Sequence, residues 1–191
     1  VERIERTLSA DDMQGRKTFT PGIEKAADFI ASEFKTIGLQ PWNSNGYRQE
    51  FVMVRPKFIS ASAIFDRVNV EQKNIMVVTC QPQLKIDERS GYEKAFIKAG
   101  GNLQTEARTL VRSNKNLLVL VDKSFANSFG NLARLKSTMF KTNTSVVFVL
   151  ADTNPDTWSV EAVHEITEQK MANVVGILPK KKKKDEYVIF S

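Results

Sequence analysis

Three short apolar runs, "NIMVVTC" (74–80), "NLLVLVD" (116–122) and "SVVFVLAD" (145–152), constrain this chain more than any other feature. Each is rich in β-branched residues and predicts a buried strand. An unbroken apolar run has no wet side, so such strands belong in a sheet covered on both faces, the habit of α/β folds. Between the last two runs, "FGNLARLKSTMFKTNT" is helical at its start. The stretch 90–112 carries helical spacing interrupted by Gly100 and Gly101, which predicts two helices or a helix and a loop. The fold class expected is α/β, a mixed sheet with flanking helices.

The clearest helix lies earlier, in "TFTPGIEKAADFIASEFKTIGLQP". Thr20 suits the N-cap, Pro21 the first helical position, and Glu24 the positive end of the helix dipole. Ile23, Ala26, Ala27, Ile30, Phe34 and Ile37 recur at helical spacing and form one apolar face. Gly38 supplies a left-handed stop, Leu39 can fold back on Phe34, and Pro41 forbids continuation. "NSNGYRQEFVMV" then reads as a turn and a strand, and "KFISASAIFDRVNV" as a second strand with alternating apolar residues. In "SVEAVHEITEQKMANVVGILP" the alternation around Val160, Ala162 and Ile166 predicts a strand, a turn, and a strand over 174–178. The lysines at 180–184 make a turn into a last strand over 186–191.

Composition excludes several classes. The chain has 191 residues, 41% hydrophobic and 26% charged, enough to bury a sizeable core in one large domain or two small ones. It has one cysteine, Cys80, and one histidine, His164, so an intramolecular disulfide and a cysteine-based zinc knuckle are both excluded. No run of eighteen apolar residues exists to span a membrane, and an opening on Val1 leaves room for a removed leader. The net charge of +6 invites a nucleic-acid partner. Without the five lysines at 180–184, the 28 basic residues become 23 against 22 acidic, which leaves +1. One short run is not a basic stripe, and no finger, helix-turn-helix or aromatic RNA motif accompanies it. A solvated turn is the better reading, with no nucleic acid as partner.

The residues capable of chemistry do not converge. His164 sits among Glu161, Glu165 and Glu168, but a metal would need a second nitrogen or sulfur ligand. On a strand, His164 and Glu165 point to opposite faces, and a polar surface or partly satisfied histidine is expected. "SADD" and "DERSGYEK" offer carboxylate pairs that read as solvated loop charge. Cys80 lies in a strand-like run and reads as a buried, inert thiol. "GGNLQ" lacks the spacing and the lysine of a phosphate loop. No residue is therefore assigned as catalytic, cofactor-binding or metal-binding.

A resemblance supplies what chemistry does not. "LSADDMQGRKTFTPGIEKAADFIASEFKTIGLQPWNSNGYRQEF" resembles the N-terminal signature of the co-catalytic zinc aminopeptidases, relatives of leucyl aminopeptidases, glutamate carboxypeptidase and glutaminyl cyclases. The matching positions are Leu8, Asp11 or Asp12, Gly15, Arg16, Thr20, Pro21, Gly22, Ala26, Ala27, Gly38, Leu39, Pro41 and Phe51. Phe19 departs from the pattern, which has glycine there. "ANVVGILP" and "DEYVIFS" are similar to two later strands of that family, after which its first metal ligands would follow; this chain ends at Ser191, so no ligand carries over.

The resemblance implies three parts: 1–67, the first helix and strands of a peptidase domain; 68–171, a protease-associated-like insertion; and 172–191, the returning edge strands. It implies a non-catalytic N-terminal portion of a zinc-dependent aminopeptidase, with the insertion as lid or access domain. The rest of the peptidase, a peptide substrate and two zinc ions belong to the parent protein, and a periplasmic or extracellular location is the expectation. The alternative is a stand-alone protein-binding module of protease-associated type without peptidase activity.

Overall fold

The computed structural model describes residues 1–136 and 138–179. In chain order these are α1 (Glu2–Leu8), α2 (Pro21–Thr36), β1 (Gln40–Pro41), β2 (Arg48–Phe65), β3 (Val68–Val70), β4 (Ile75–Val78), β5 (Gln83–Asp87) and β6 (Glu93–Ile97). Then follow α3 (Leu103–Val111), β7 (Leu117–Val121), β8 (Met139–Phe140), β9 (Val146–Leu150), β10 (Trp158–Val174) and β11 (Gly176–Ile177). The protein is a mixed α/β chain with several sheets and few helices. Among the described residues no helix is long and apolar enough to cross a membrane. The lysine run at 180–184 and the last expected strand lie outside the described residues.

The chain divides into two compact units, one of Val1–Val52 with the segment that begins at Gln169, the other Met53–Glu168. Both divisions fall inside long strands, β2 and β10, whereas the sequence places its breaks after residues 67 and 171.

In the first unit α2 forms as its periodicity predicts. Gly38 takes a φ of +81°, its N–H donates to the Lys35 carbonyl at 3.2 Å, and the Leu39 N–H donates to the Phe34 carbonyl at 3.0 Å. Those two bonds satisfy carbonyls that the helix end leaves open. At the other end Thr20 does not cap with its side chain; its hydroxyl donates to the Lys17 carbonyl at 2.6 Å. Phe19 holds a φ of +65°, a left-handed backbone that costs a residue with a Cβ roughly 1–2 kcal/mol. Arg48 forks onto Glu24 and Asp28 of α2.

Gly22 is fixed by close approach. Its N–H donates to Gln14 Oε1 at 3.1 Å, and a Cβ built on it would run into the Met13 backbone carbonyl. Gly22→Ala therefore forces the 3₁₀ segment Asp11–Arg16 off the helix and costs about 1–3 kcal/mol. A urea titration read by circular dichroism will measure it; an unchanged midpoint would mean that the segment moves aside freely.

The apolar face of α2 is only partly covered. Ala26 and Ala27 are buried, Ile23, Ile30 and Phe34 are half-buried, and Ile37 is exposed. Among the described residues the buried apolar side chains of this unit are Met13, Ala26 and Ala27, and neither core cluster includes any of them.

The second unit holds two cores in three layers. A four-stranded sheet runs β4-β9-β7-β6, with β6, β7 and β9 mutually parallel and β4 antiparallel to β9. Every residue of β7 and β9 is buried, as two-faced strands require. One face, with Ile75, Val77, Leu118, Leu120, Val147 and Val149, packs against Ala63, Phe65, Leu84, Ile86, Trp158 and Val160 of a second sheet. That second sheet runs β3-β2-β10-β5, with β8 paired to β2. The other face, with Val119, Val121, Phe148 and Leu150, packs on Leu103 and Ala107 of α3 and on Phe129 and Leu132 of the 3₁₀ segment Phe129–Lys136.

Four expectations are corrected. The first half of 90–112 is not helical: Glu93–Ile97 is a strand, paired in parallel with β7 from Glu93↔Leu117 to Ile97↔Val121. Sheet pairing outweighs the helix preference of Glu93, Lys94 and Ala95. The segment over 158–178 is not a strand, a turn and a strand; β10 runs unbroken to Val174 and only Val175 separates it from β11. Its burial switches from even to odd positions near Thr167, which in sequence resembles a turn. Likewise β2 is one strand through buried Pro56, and its inward set passes from Val54, Pro56 and Phe58 to Ala61, Ala63 and Phe65. An extra residue at Ile59–Ser60 changes the side, the signature of a bulge. Finally, "KFISASAIFDRVNV" contains a hairpin, since Asp66 and Arg67 both take positive φ (47° and 70°) and turn β2 into antiparallel β3.

Candidate functional site

The most unusual polar group in the second unit is His164. It lies on the inward set of β10 with Val160 and Ala162, and it is 3% exposed while Glu165 is exposed on the opposite face. The expected surface or partly satisfied histidine is thus corrected: the ring is buried, and among the described residues neither Nδ1 nor Nε2 has a hydrogen-bond partner. Its backbone N–H donates to the Pro82 carbonyl at 2.8 Å. The ring stands edge-on to Phe58 of β2, with centroids 5.8 Å apart at 71°. On the same Phe58 ring lies the ammonium of Lys136, 4.6 Å from the centroid.

Lys136 is half-buried and has no carboxylate within ion-pair reach among the described residues. Burial lowers its pKa. His164 is pushed down to about 4, mainly because burial disfavours the imidazolium and secondarily because the Lys136 charge repels it. The imidazole is accordingly neutral at physiological pH. The parity of Val160, Ala162 and His164 was a sequence signal for its burial; nothing in the sequence pointed to Lys136 or Phe58.

The carboxylates on β10 are separate from this cluster. Glu161 pairs with Lys85 at 2.8 Å, Glu165 with Lys57 at 2.9 Å and Glu168 with Lys141 at 2.7 Å. These are exposed pairs, the first two between neighbouring strands, and add little to stability.

The other sequence candidates turn out to be structural. Cys80 is buried, its Sγ 3.7 Å from the Phe140 carbonyl, and burial raises its pKa, which keeps the thiol protonated and unreactive. Asp87 Oδ1 accepts from the Ser90 hydroxyl at 2.8 Å and the Arg89 N–H at 2.9 Å, contacts that hold its pKa down and close the loop. Asp12 meets Lys25 at 3.3 Å. Asn102, from "GGNLQ", caps α3 by accepting the Thr105 N–H at 3.0 Å.

Open α/β sheets bind ligands beyond the carboxyl ends of their strands. There, beyond β6, β7 and β9, a shallow cleft of about 130 Å³ lies between Phe96, Lys98, Asp122, Asp152 and Asn154. Three of its polar side chains, Asp122, Asp152 and Asn154, are already engaged. Asp122 accepts the Ser124 N–H at 2.8 Å, Asp152 pairs with Lys123, and Lys94 donates to Asn154 Oδ1 at 2.9 Å. No pair of them converges on a free point as general acid–base chemistry requires.

A zinc site does not fit these residues. Among the described residues no group of three or more His, Cys, Asp or Glu side chains is placed to hold a metal ion. The sole histidine faces an ammonium, which repels a cation. Compared with known protein families the chain matches none, and no curated protein matches it either.

Proposed function

We propose that this chain is the non-catalytic N-terminal portion of a zinc-dependent aminopeptidase, and that its second unit is a protease-associated-like insertion that controls which peptides reach the active site. The observation that carries the reading is the half-covered face of α2. Ile23, Ile30 and Phe34 are half-buried and Ile37 is exposed, so among the described residues this apolar stripe is only partly covered. A stripe of that size calls for a further packing layer, as the helix of a larger domain does. The spacing from Leu8 through Gly22 to Pro41 and Phe51 names the domain type by resemblance. The two zinc ions, their ligands and the general base would come from the remainder of the peptidase, and the location would be periplasmic or extracellular.

A specific observation keeps a second reading in view. Both core clusters lie wholly within the second unit, as a self-sufficient module would require. On this reading it would bind a protein partner without any peptidase.

Release of an N-terminal amino acid from short peptides separates the two. The chain alone is expected to be inactive with zinc, whereas the chain extended by whatever coding sequence follows is expected to be active and to lose activity with a chelator. Zinc-dependent release by the chain alone, or inactivity of the extended protein, would overturn the proposal. In the active protein, deletion of the second unit, 53–168, is expected to relax the limit on peptide size; unchanged selectivity would remove the lid.

A further inference from the structure

We propose that His164 and Lys136 form a proton-operated latch, in which protonation of the buried imidazole drives the Lys136 ammonium off the Phe58 ring and opens this end of the sheet to water. The inference does not depend on the peptidase reading.

The geometry leaves the imidazolium no internal accommodation. Neutral His164 already carries two ring nitrogens without partners among the described residues. A second proton would give it two N–H donors with no acceptor, beside an ammonium that shares the same aromatic ring. The 3₁₀ segment Phe129–Lys136 contributes Lys136, and β2 contributes uncharged Phe58. The chain before β5 contributes the Pro82 carbonyl, already taken by the His164 backbone. Glu165 and Lys57 neutralise one another on the far face. Lys136 is the charged group that acts on the imidazole.

Relief comes most cheaply at Lys136. It is the last residue of its 3₁₀ segment, while the segment's apolar anchors, Phe129 and Leu132, are held earlier, in the core beneath the four-stranded sheet. The last turn can therefore lift while these anchors stay, and of its apolar side chains half-buried Leu135 leaves the core it packs on. Water then accepts both imidazolium N–H groups, and the ammonium is rehydrated. Neutral pH closes the latch again, because a neutral ring tolerates the cation on Phe58.

His164 is the chain's single histidine, so its ring gives one unambiguous NMR titration. The ring is expected to titrate far below the ordinary histidine range, and the Leu132 to Lys136 amides are expected to lose at least about tenfold of their intrinsic-rate-corrected exchange protection with the same midpoint. In His164→Leu that pH-linked loss disappears. In Lys136→Met the ring titrates about half a pH unit higher, since a repelling charge has gone. A ring titrating between pH 6 and 7, an equal loss of protection in His164→Leu, or an unmoved midpoint in Lys136→Met would each overturn the latch. The Lys136→Met arm decides the matter even if His164→Leu does not fold.

Discussion

Phe148→Ala is expected to cost about 3–5 kcal/mol. Phe148 is fully buried at the centre of β9, itself an inner strand of the four-stranded sheet. Its backbone neighbours are Met76 and Val119. Its side chain packs among Val119, Val121, Leu103, Ala107, Phe129 and Leu132. Truncation loses the transfer free energy of the ring and leaves a cavity between a sheet and two helical segments, which cannot close without breaking other contacts. The change is read from the urea midpoint of the variant at unchanged slope. A loss below about 1 kcal/mol would show that the helical layer settles into the space.

The second large effect depends on pH. The folded protein holds His164 at a pKa of about 4, below the ordinary 6.5 of an unfolded chain. Between those values the unfolded state binds more protons, so stability rises with pH through the window. It is complete above about pH 6.5 and is lost progressively as pH falls towards 4. The full difference is worth up to about 3 kcal/mol, since each pH unit of displacement corresponds to about 1.4 kcal/mol. His164→Leu removes the titrating group and two unpartnered nitrogens at similar volume. It is expected to flatten the stability curve from pH 6.5 to 4 and to be neutral or stabilising at neutral pH. Denaturant titrations at several pH values check both statements; parallel curves for the two proteins would refute the first.

What could be read from the sequence was local. The spacing of Ile23, Ala27, Ile30 and Phe34, with Pro21 before and Gly38 after, sets α2 to within a residue at each end. The unbroken runs of β7 and β9 announced two-sided burial because nothing polar interrupts them. The turn at Asp87 and the cap at Asn102 rest on equally short-range bonds, but in the sequence those stretches showed no more than loop charge and the lack of a phosphate loop.

The errors share one cause. Glu93–Ile97 has a helical composition, and only the register of β7 makes it a strand. The break expected before Lys57 and the parity change in β10 near Thr167 look like strand ends, yet both strands continue because neighbouring strands keep their backbones paired. His164 lies among glutamates in the sequence and beside Phe58 and Lys136 in space.

The sequence by itself thus determined the elements whose stability comes from bonds within a few residues, and with them the α/β class. Tertiary structure alone decided which strands pair, which side of each faces the core and which charges meet. Those outcomes depend on burial and pairing between segments far apart along the chain, and a local pattern carries no record of its distant partner.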